Sequence, residues 1–210
     1  MARNFLLPKI YPITDRSISG LSHEEQIELL IKGGSEFIQL RDKNASSREF
    51  FQAAQACLNI TKEKNAKLIV NDRVDIAMIL EADGVHLGQD DLPPEQARRL
   101  LGEASIIGIS THTIEQAIKA IKLPVDYIAF GPIFGTGTKT NHDTPVGIEG
   151  LKELREAMGE FPLVAIGGID LENLGDIFAA GADSAAMISA LVSNPGKIIE
   201  NTKRAFREVE

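Results

Sequence analysis

The stretch Leu68–Asp91, LIVNDRVDIAMILEADGVHLGQDD, holds two short apolar runs that each turn polar and acidic at the carboxyl end. The first run ends in Asn71-Asp72 and the second in Gly88-Gln89-Asp90-Asp91, with a helical pattern between them. Parallel α/β proteins gather their ligands at the carboxyl ends of the strands. Two carboxylates on neighbouring strand ends suit a hard cation, above all Mg2+, which commonly sits on one or two carboxylates plus substrate phosphates. The same acids also suit helix caps and loops, so this stretch alone leaves both readings open.

Outward from it, the chain keeps the same rhythm. Strands are predicted at Lys9–Thr14, Phe37–Leu40, Lys67–Val70, Gly84–Leu87, Ile106–Ser110, Asp126–Phe130, Leu163–Ile166 and Ser184–Ile188. A helix follows each strand. Ser22 with Glu25 three residues on is a capping-box pattern that opens a helix ending at Lys32, before Gly33-Gly34. The next helix begins after Ser46 or Ser47, with Glu49 near its third position, and reaches Lys64. Others are expected at Val74–Glu81, from Pro93-Pro94, at Ile114–Ile121, Ile148–Met158, Leu171–Ala179 and Gly196–Val209. Each unit takes about 26 residues, and eight such units close into a (β/α)8 TIM barrel. The site of such a barrel lies at the C-terminal ends of its strands. A doubly wound open sheet is the alternative. It requires an edge strand with one polar face, whereas all eight strands here are apolar.

With 210 residues and no linker or low-complexity segment, residues 1–210 form one expected domain. Net charge is −8, with no cluster of Lys and Arg, which argues against nucleic acid and anionic membranes as partners. It leaves phosphorylated small molecules open, because a few cations can converge on one pocket. The single cysteine, Cys57, lies in a helical pattern and reads as a small buried hydrophobe in a reducing compartment. No leader or membrane-spanning run is legible, so a cytoplasmic location is expected. The oligomeric state is open, and a homo-oligomer is compatible with the sequence.

Side chains from the strand ends form a coherent set. Gln39, Arg41 and Lys43 are spaced two apart, so they share one face of an extended chain while Ile38 and Leu40 take the other. Arg as a forked donor and Lys as a point charge suit a diphosphate, although a solvated basic loop paired with Asp42 is the plainer reading. Asn71, Asp72, Asp91 and Ser110 stand at the next strand ends. The loop Gly131–Pro145, GPIFGTGTKTNHDTP, brings Thr136, Thr138 and Lys139, which suit an anion or simply a turn. Gly167-Gly168 and Ile188-Ser189 end the last two strands, where barrels often hold a phosphate on backbone N–H groups. Gly168 would allow a phosphate close to the main chain, or merely a turn into the next helix. His86 alternates with Val85 and Leu87 and can face the barrel interior; His23, His112 and His142 read as cap, loop or surface residues. No zinc or acyl-transfer motif is present.

The segments YPITD (Tyr11–Asp15), QLRDK (Gln39–Lys43), NDRVDIA (Asn71–Ala77), ADGVHLGQDD (Ala82–Asp91), GIST (Gly108–Thr111), DYIAFGPIFGTGTK (Asp126–Lys139), AIGGI (Ala165–Ile169) and AGADSAAMISA (Ala180–Ala190) together resemble the thiamine-phosphate synthase family, also called thiamine-phosphate pyrophosphorylases. The resemblance covers nearly the whole chain. It implies Mg-dependent transfer of a hydroxymethylpyrimidine group from its diphosphate to thiazole phosphate, giving thiamine phosphate and pyrophosphate. It implies that Gln39, Arg41, Lys43, Asn71, Ser110 and Lys139 hold the pyrimidine diphosphate, with Arg41, Lys43, Ser110 and Lys139 acting in catalysis. It further implies that Asp72 and Asp91 bind Mg2+, and that Thr136, Thr138, Gly168, Ile188 and Ser189 hold the thiazole phosphate. One departure is Ser184, where the family often has Gly; it stands at the start of its strand, away from the mouth, and no functional effect is expected. Two alternatives are a TenI-like thiazole tautomerase and a non-catalytic barrel sensing thiamine precursors. TenI-like proteins typically lose the diphosphate and metal residues, whereas Lys43, Asp72, Asp91 and Lys139 are all present here.

Overall fold

The computed structural model describes residues 6–135 and 144–209. Eight parallel strands form one sheet: β1 (Ile10–Pro12), β2 (Phe37–Leu40), β3 (Lys67–Asn71), β4 (Gly84–Leu87), β5 (Ile106–Thr111), β6 (Tyr127–Phe130), β7 (Leu163–Ile166) and β8 (Ser184–Met187). Their order is β1-β8-β7-β6-β5-β4-β3-β2, so every strand from β2 onward lies beside its chain neighbour. Just beyond β1, Ile13 bridges in parallel to Gln39 of β2, and Thr14 N–H donates to Gln39 O at 2.9 Å. That contact joins the two ends of the sheet and excludes the open-sheet alternative. The fold is the (β/α)8 barrel expected from the rhythm of the chain.

Period-two alternation separates two cores. One face of each strand packs outward under the helices, with Ile38, Leu40, Leu68, Val70, Val85 and Leu87 in that outer core. The other face fills the barrel, with Tyr11, Phe37, Ile69, Ile106, Tyr127 and Val164 among its residues. Burying a large aliphatic or aromatic side chain contributes about 1.5–3 kcal/mol, so the outer core carries much of the stability. Inside the barrel, Gly108 of β5 lies in register with both His86 of β4 and Tyr127 of β6. A Cβ on Gly108 would lie 2.0 Å from the Tyr127 ring. Glycine there is what lets the Tyr127 ring reach His86; the two rings stack at 5.6 Å with a 23° interplanar angle.

Both sequence-read capping boxes are present: Ser22 with Glu25 opens α2 (His23–Lys32), and Ser46 with Glu49 opens α3 (Ser47–Glu63). Ahead of α2 lies a turn not anticipated from periodicity, α1 (Arg16–Ser19), capped by Asp15 and stopped by Gly20. The next four helices follow the expected pattern: α4 (Val74–Leu80), α5 (Pro94–Leu101), α6 (Ile114–Ala120) and α7 (Gly147–Met158). Helix α8 (Leu174–Ala179) starts three residues later than expected, because Asp170 accepts from the N–H groups of Glu172 and Asn173 and holds a turn there. The last predicted helix, Gly196–Val209, is present as a 3-10 turn, Pro195–Lys197, leading into α10 (Ile198–Arg207), and a short helix not anticipated, α9 (Ser189–Val192), precedes it. Pro195 lacks an N–H and Asn194 caps Gly196 N, so the helix restarts instead of running through.

At the N-terminal end of the barrel, carboxylates staple neighbouring strands. Asp83, Asp126 and Asp183 accept from the N–H groups of Leu68, Ile107 and Leu163. Arg98 and Arg155 pair with Asp126 and Asp183 at 2.7 and 2.6 Å. This end is closed by structural ion pairs, which leaves the opposite mouth for ligands.

Candidate active site

The strand ends deliver their polar residues to a single cavity at the C-terminal mouth. Gln39, Arg41 and Lys43 enter it from β2 and its loop, Asn71 and Asp72 from β3, and Ser110 from β5. Gly168, Ile188 and Ser189 line the far side, after β7 and β8. Gly88 also lines the cavity, and its N–H donates to Asp91 Oδ2 at 2.6 Å, which pins that carboxylate beside the mouth. Thr136, Thr138 and Lys139 lie outside the described residues.

The basic side is pre-aimed. Arg41 is buried, and its guanidinium is held by Asp15 at 2.8 Å. Asp15 in turn caps α1 through Ser17 N–H. Lys43 Nζ donates to Asp72 Oδ2. Asp72 itself sits at φ 61°, a left-handed conformation that is uncommon outside glycine. This twist turns its carboxylate away from the strand line and into the mouth.

Asp72 also carries the clearest electrostatic signature. Burial raises its pKa first; Lys43 lowers it, but the Asp91 carboxylate raises it again, and the net direction is upward. Two carboxylates are thus close enough to repel one another. A divalent cation relieves such repulsion, and two carboxylates with substrate phosphate oxygens suit Mg2+. No group of three or more metal-binding side chains occurs among the described residues, so a bound cation would draw its further oxygens from substrate and water.

Gly168 has φ 67°, and a Cβ on it would lie 2.7 Å from Phe134 Cβ and 2.8 Å from Gly135 O. Its glycine is therefore required already by the loop after β6, before any ligand is considered. Backbone bonds from Ile133 N to Ile166 O and from Phe134 N to Gly167 O tie that loop to β7.

Several residues of the site were given no role from the sequence. Tyr11 lines the cavity, as do His112 and Gly131. Tyr11 and Tyr127 are almost fully buried in the barrel interior. His112 is a loop residue, as expected, between β5 and α6; it also lines the cavity, with Nδ1 2.7 Å from Gly131 O. His23 departs from the cap, loop or surface expectation. It is buried, 2.8 Å from Thr14 Oγ1 and 3.2 Å from Asp42 Oδ2. Burial lowers its pKa against the opposing pull of Asp42. Asp42, expected as a partner of the basic residues beside it, instead pairs with His23 and Arg16, each at 3.2 Å. The alternation of strand residues into the barrel, and their place in the quoted segments YPITD and DYIAFGPIFGTGTK, were the signals that could have found Tyr11 and Tyr127.

A family model described as thiamine monophosphate synthase matches residues 10–191. The chain belongs to the thiamine monophosphate synthase family. The thiamine-phosphate synthase of Clostridium novyi (strain NT) is 46% identical over 187 residues, covering 89% of this chain and 91% of the relative. That of Syntrophomonas wolfei is 45% identical over 201 residues, covering 95% of each. The solved structure of a thiamine phosphate pyrophosphorylase from Pyrococcus furiosus superposes with a TM-score of 0.86 at 35% identity, over 96% of this chain and 95% of that one. In this family member no described helix is long and apolar enough to cross a membrane.

Proposed function

We propose that the chain is a thiamine-phosphate synthase that joins hydroxymethylpyrimidine diphosphate to thiazole phosphate, releasing pyrophosphate. The observation that carries this reading is the convergence of Arg41, Lys43 and Asp72 on one side of the same cavity that Gly168 and Ser189 line on the other. Diphosphate and monophosphate ends then share one mouth, with the reacting centres between them.

The reaction breaks the bond from the pyrimidine methylene carbon to the diphosphate oxygen and forms a bond from that carbon to the thiazole nitrogen. The nitrogen attacks with a lone pair and has no proton to lose, so no general base is required. The aminopyrimidine spreads positive charge from the methylene as the diphosphate departs, which gives the substitution a dissociative character. What the protein supplies is neutralised leaving-group charge and fixed geometry. Arg41, Lys43 and Lys139 place positive charge at the diphosphate, while Gln39, Asn71 and Ser110 orient the pyrimidine. Asp72 and Asp91 would hold Mg2+, whose contribution when bound is to neutralise charge on the diphosphate. Thr136, Thr138, Gly168, Ile188 and Ser189 would hold the thiazole phosphate. We place this reaction in the cytoplasm, in keeping with the buried free thiol of Cys57.

Incubation with both substrates and Mg2+ tests the reading, with release of pyrophosphate and formation of thiamine phosphate as the readout. Absence of both products sinks it. Rearrangement of the thiazole without joining would favour the tautomerase alternative, and tight binding without turnover the sensor.

A further inference from the structure

A file of buried polar groups crosses the barrel interior beneath the mouth. Gln39 Nε2 lies 2.8 Å from Tyr11 Oη, which lies 2.9 Å from Tyr127 Oη. Tyr127 Oη lies 2.9 Å from His86 Nδ1, and His86 Nε2 lies 2.8 Å from Ser110 Oγ. All five residues are at most 7% exposed. The two end residues, Gln39 and Ser110, are those assigned to the pyrimidine substrate, whereas the tyrosines between them have no assigned part.

Counting protons gives the file a direction. An amide nitrogen only donates, so Tyr11 Oη accepts from Gln39. Burial raises both phenols well above their ordinary range, so each keeps its proton. Tyr11 therefore donates to Tyr127, and the file keeps one sense when Tyr127 donates onward to His86 Nδ1, the arrangement inferred below. With Nδ1 accepting, the imidazole proton sits on Nε2 and is given to Ser110 Oγ. The Ser110 hydroxyl proton then points into the cavity.

We infer that Tyr127 is a positioning residue that holds His86 in its Nε2–H tautomer and so commits the Ser110 hydroxyl to act as a donor toward the pyrimidine substrate. This rests on the synthase reading for the identity of the substrate, but the order of protons belongs to the protein alone. Gly108 provides the opening through which the Tyr127 ring reaches His86, so glycine at that position serves the same arrangement. A tyrosine placed only to fill the barrel would not require its hydroxyl.

The test begins with the substrate-free wild-type protein labelled with 15N at histidine. The His86 signal is assigned by its loss in His86→Asn, and its ring nitrogens report the tautomer. The expected spectrum has a protonated Nε2 and a bare Nδ1. A protonated Nδ1 overturns the inference, because Tyr127 then does not donate to it. In Tyr127→Phe the Nε2–H preference is expected to disappear, and kcat/KM for the pyrimidine diphosphate to fall roughly ten- to a hundredfold, mainly through KM. Adding Tyr127→Phe to Ser110→Ala is expected to cost little beyond Ser110→Ala alone, since both act through one hydroxyl. Unchanged kinetics in Tyr127→Phe, or losses that simply multiply in the double variant, overturn the inference. If Tyr127→Phe does not fold, the wild-type spectrum still decides. A wild-type protein that makes no thiamine phosphate removes the synthase reading and leaves the tautomer result standing.

Discussion

Lys43 Nζ meets Asp72 Oδ2 at 2.5 Å, linking the loop after β2 to the end of β3 across the mouth. Lys43 is half-exposed, so such a pair contributes only about 0–1 kcal/mol to stability. Its value lies in placement. In the proposed reaction, this sets the cation for the diphosphate and a carboxylate for the metal side by side before either ligand arrives.

Removing either acid is therefore expected to act on turnover and not on folding. Asp72→Ala and Asp91→Ala should each lose at least about a hundredfold in Mg2+-dependent kcat/KM. Thermal melts should stay within a few degrees of wild type. The measurement is pyrophosphate release against Mg2+ concentration; full activity in both variants would remove the metal assignment.

Asp15 links a helix cap to the site. It caps α1 and holds Arg41 at 2.8 Å, so Asp15→Ala removes both contacts. The lost cap should cost about 0.5–2 kcal/mol of stability. Releasing Arg41 should raise KM for the pyrimidine diphosphate several-fold while leaving KM for thiazole phosphate near wild type. Steady-state kinetics with each substrate varied in turn separate the two effects.

Gly168 and Ser189 are expected to behave differently. Ser189→Ala should weaken thiazole phosphate binding only modestly, because backbone N–H groups share the load. Gly168→Val forces a branched side chain into a left-handed conformation and against Phe134 and Gly135. It should raise KM for thiazole phosphate by about tenfold or more. An unchanged KM in that variant would count against this side of the cavity as the phosphate site.

Gly108→Ala tests the barrel interior. Its Cβ would overlap the Tyr127 ring at 2.0 Å, and the two backbones are held by sheet pairing. Overpacking of this kind costs about 1–3 kcal/mol. Denaturant unfolding should show a lower midpoint with an unchanged slope.

His23 predicts a pH dependence of stability. Burial lowers its folded-state pKa below the ordinary histidine value. The unfolded chain therefore takes up a proton at a pH where the folded chain does not. Stability from this source is fully present above about pH 6.5 and declines as pH falls below it, by at most about 1.4 kcal/mol per pH unit. His23→Gln should be less stable at neutral pH but should show a shallower decline between about pH 6.5 and 5. Equal slopes in the two proteins, measured by urea unfolding, would mean that His23 titrates alike in both states.

Much of the cavity lining was legible because its signals are local. Gln39, Arg41 and Lys43 declare their shared face by spacing alone, since successive strand residues alternate sides. Asp72 and Asp91 stand where an apolar run stops, which marks a strand end without reference to any other part of the chain. Tyr11 and Tyr127 were not legible as site residues. In sequence they are two more apolar-pattern strand positions; their hydroxyls acquire a role only by meeting across 116 residues of chain. His23 was misjudged for the same reason. Its place as the first residue of α2 suggested a cap, while its burial depends on Thr14 and Asp42 arriving from two other loops.

By itself, the sequence determined the alternation of strands and helices, the apolar and polar faces, and the acidic ends of Leu68–Asp91. These follow from period and propensity within a few residues. Only the tertiary structure decided that the sheet closes, through the bridge of Ile13 to Gln39. Closure gathers the strand ends around one cavity, while the pairing of β3 with β4 and of β4 through β5 to β6 brings Asp72 near Asp91 and Tyr127 onto His86. Those relationships depend on distances between segments far apart in the chain, which no local pattern encodes.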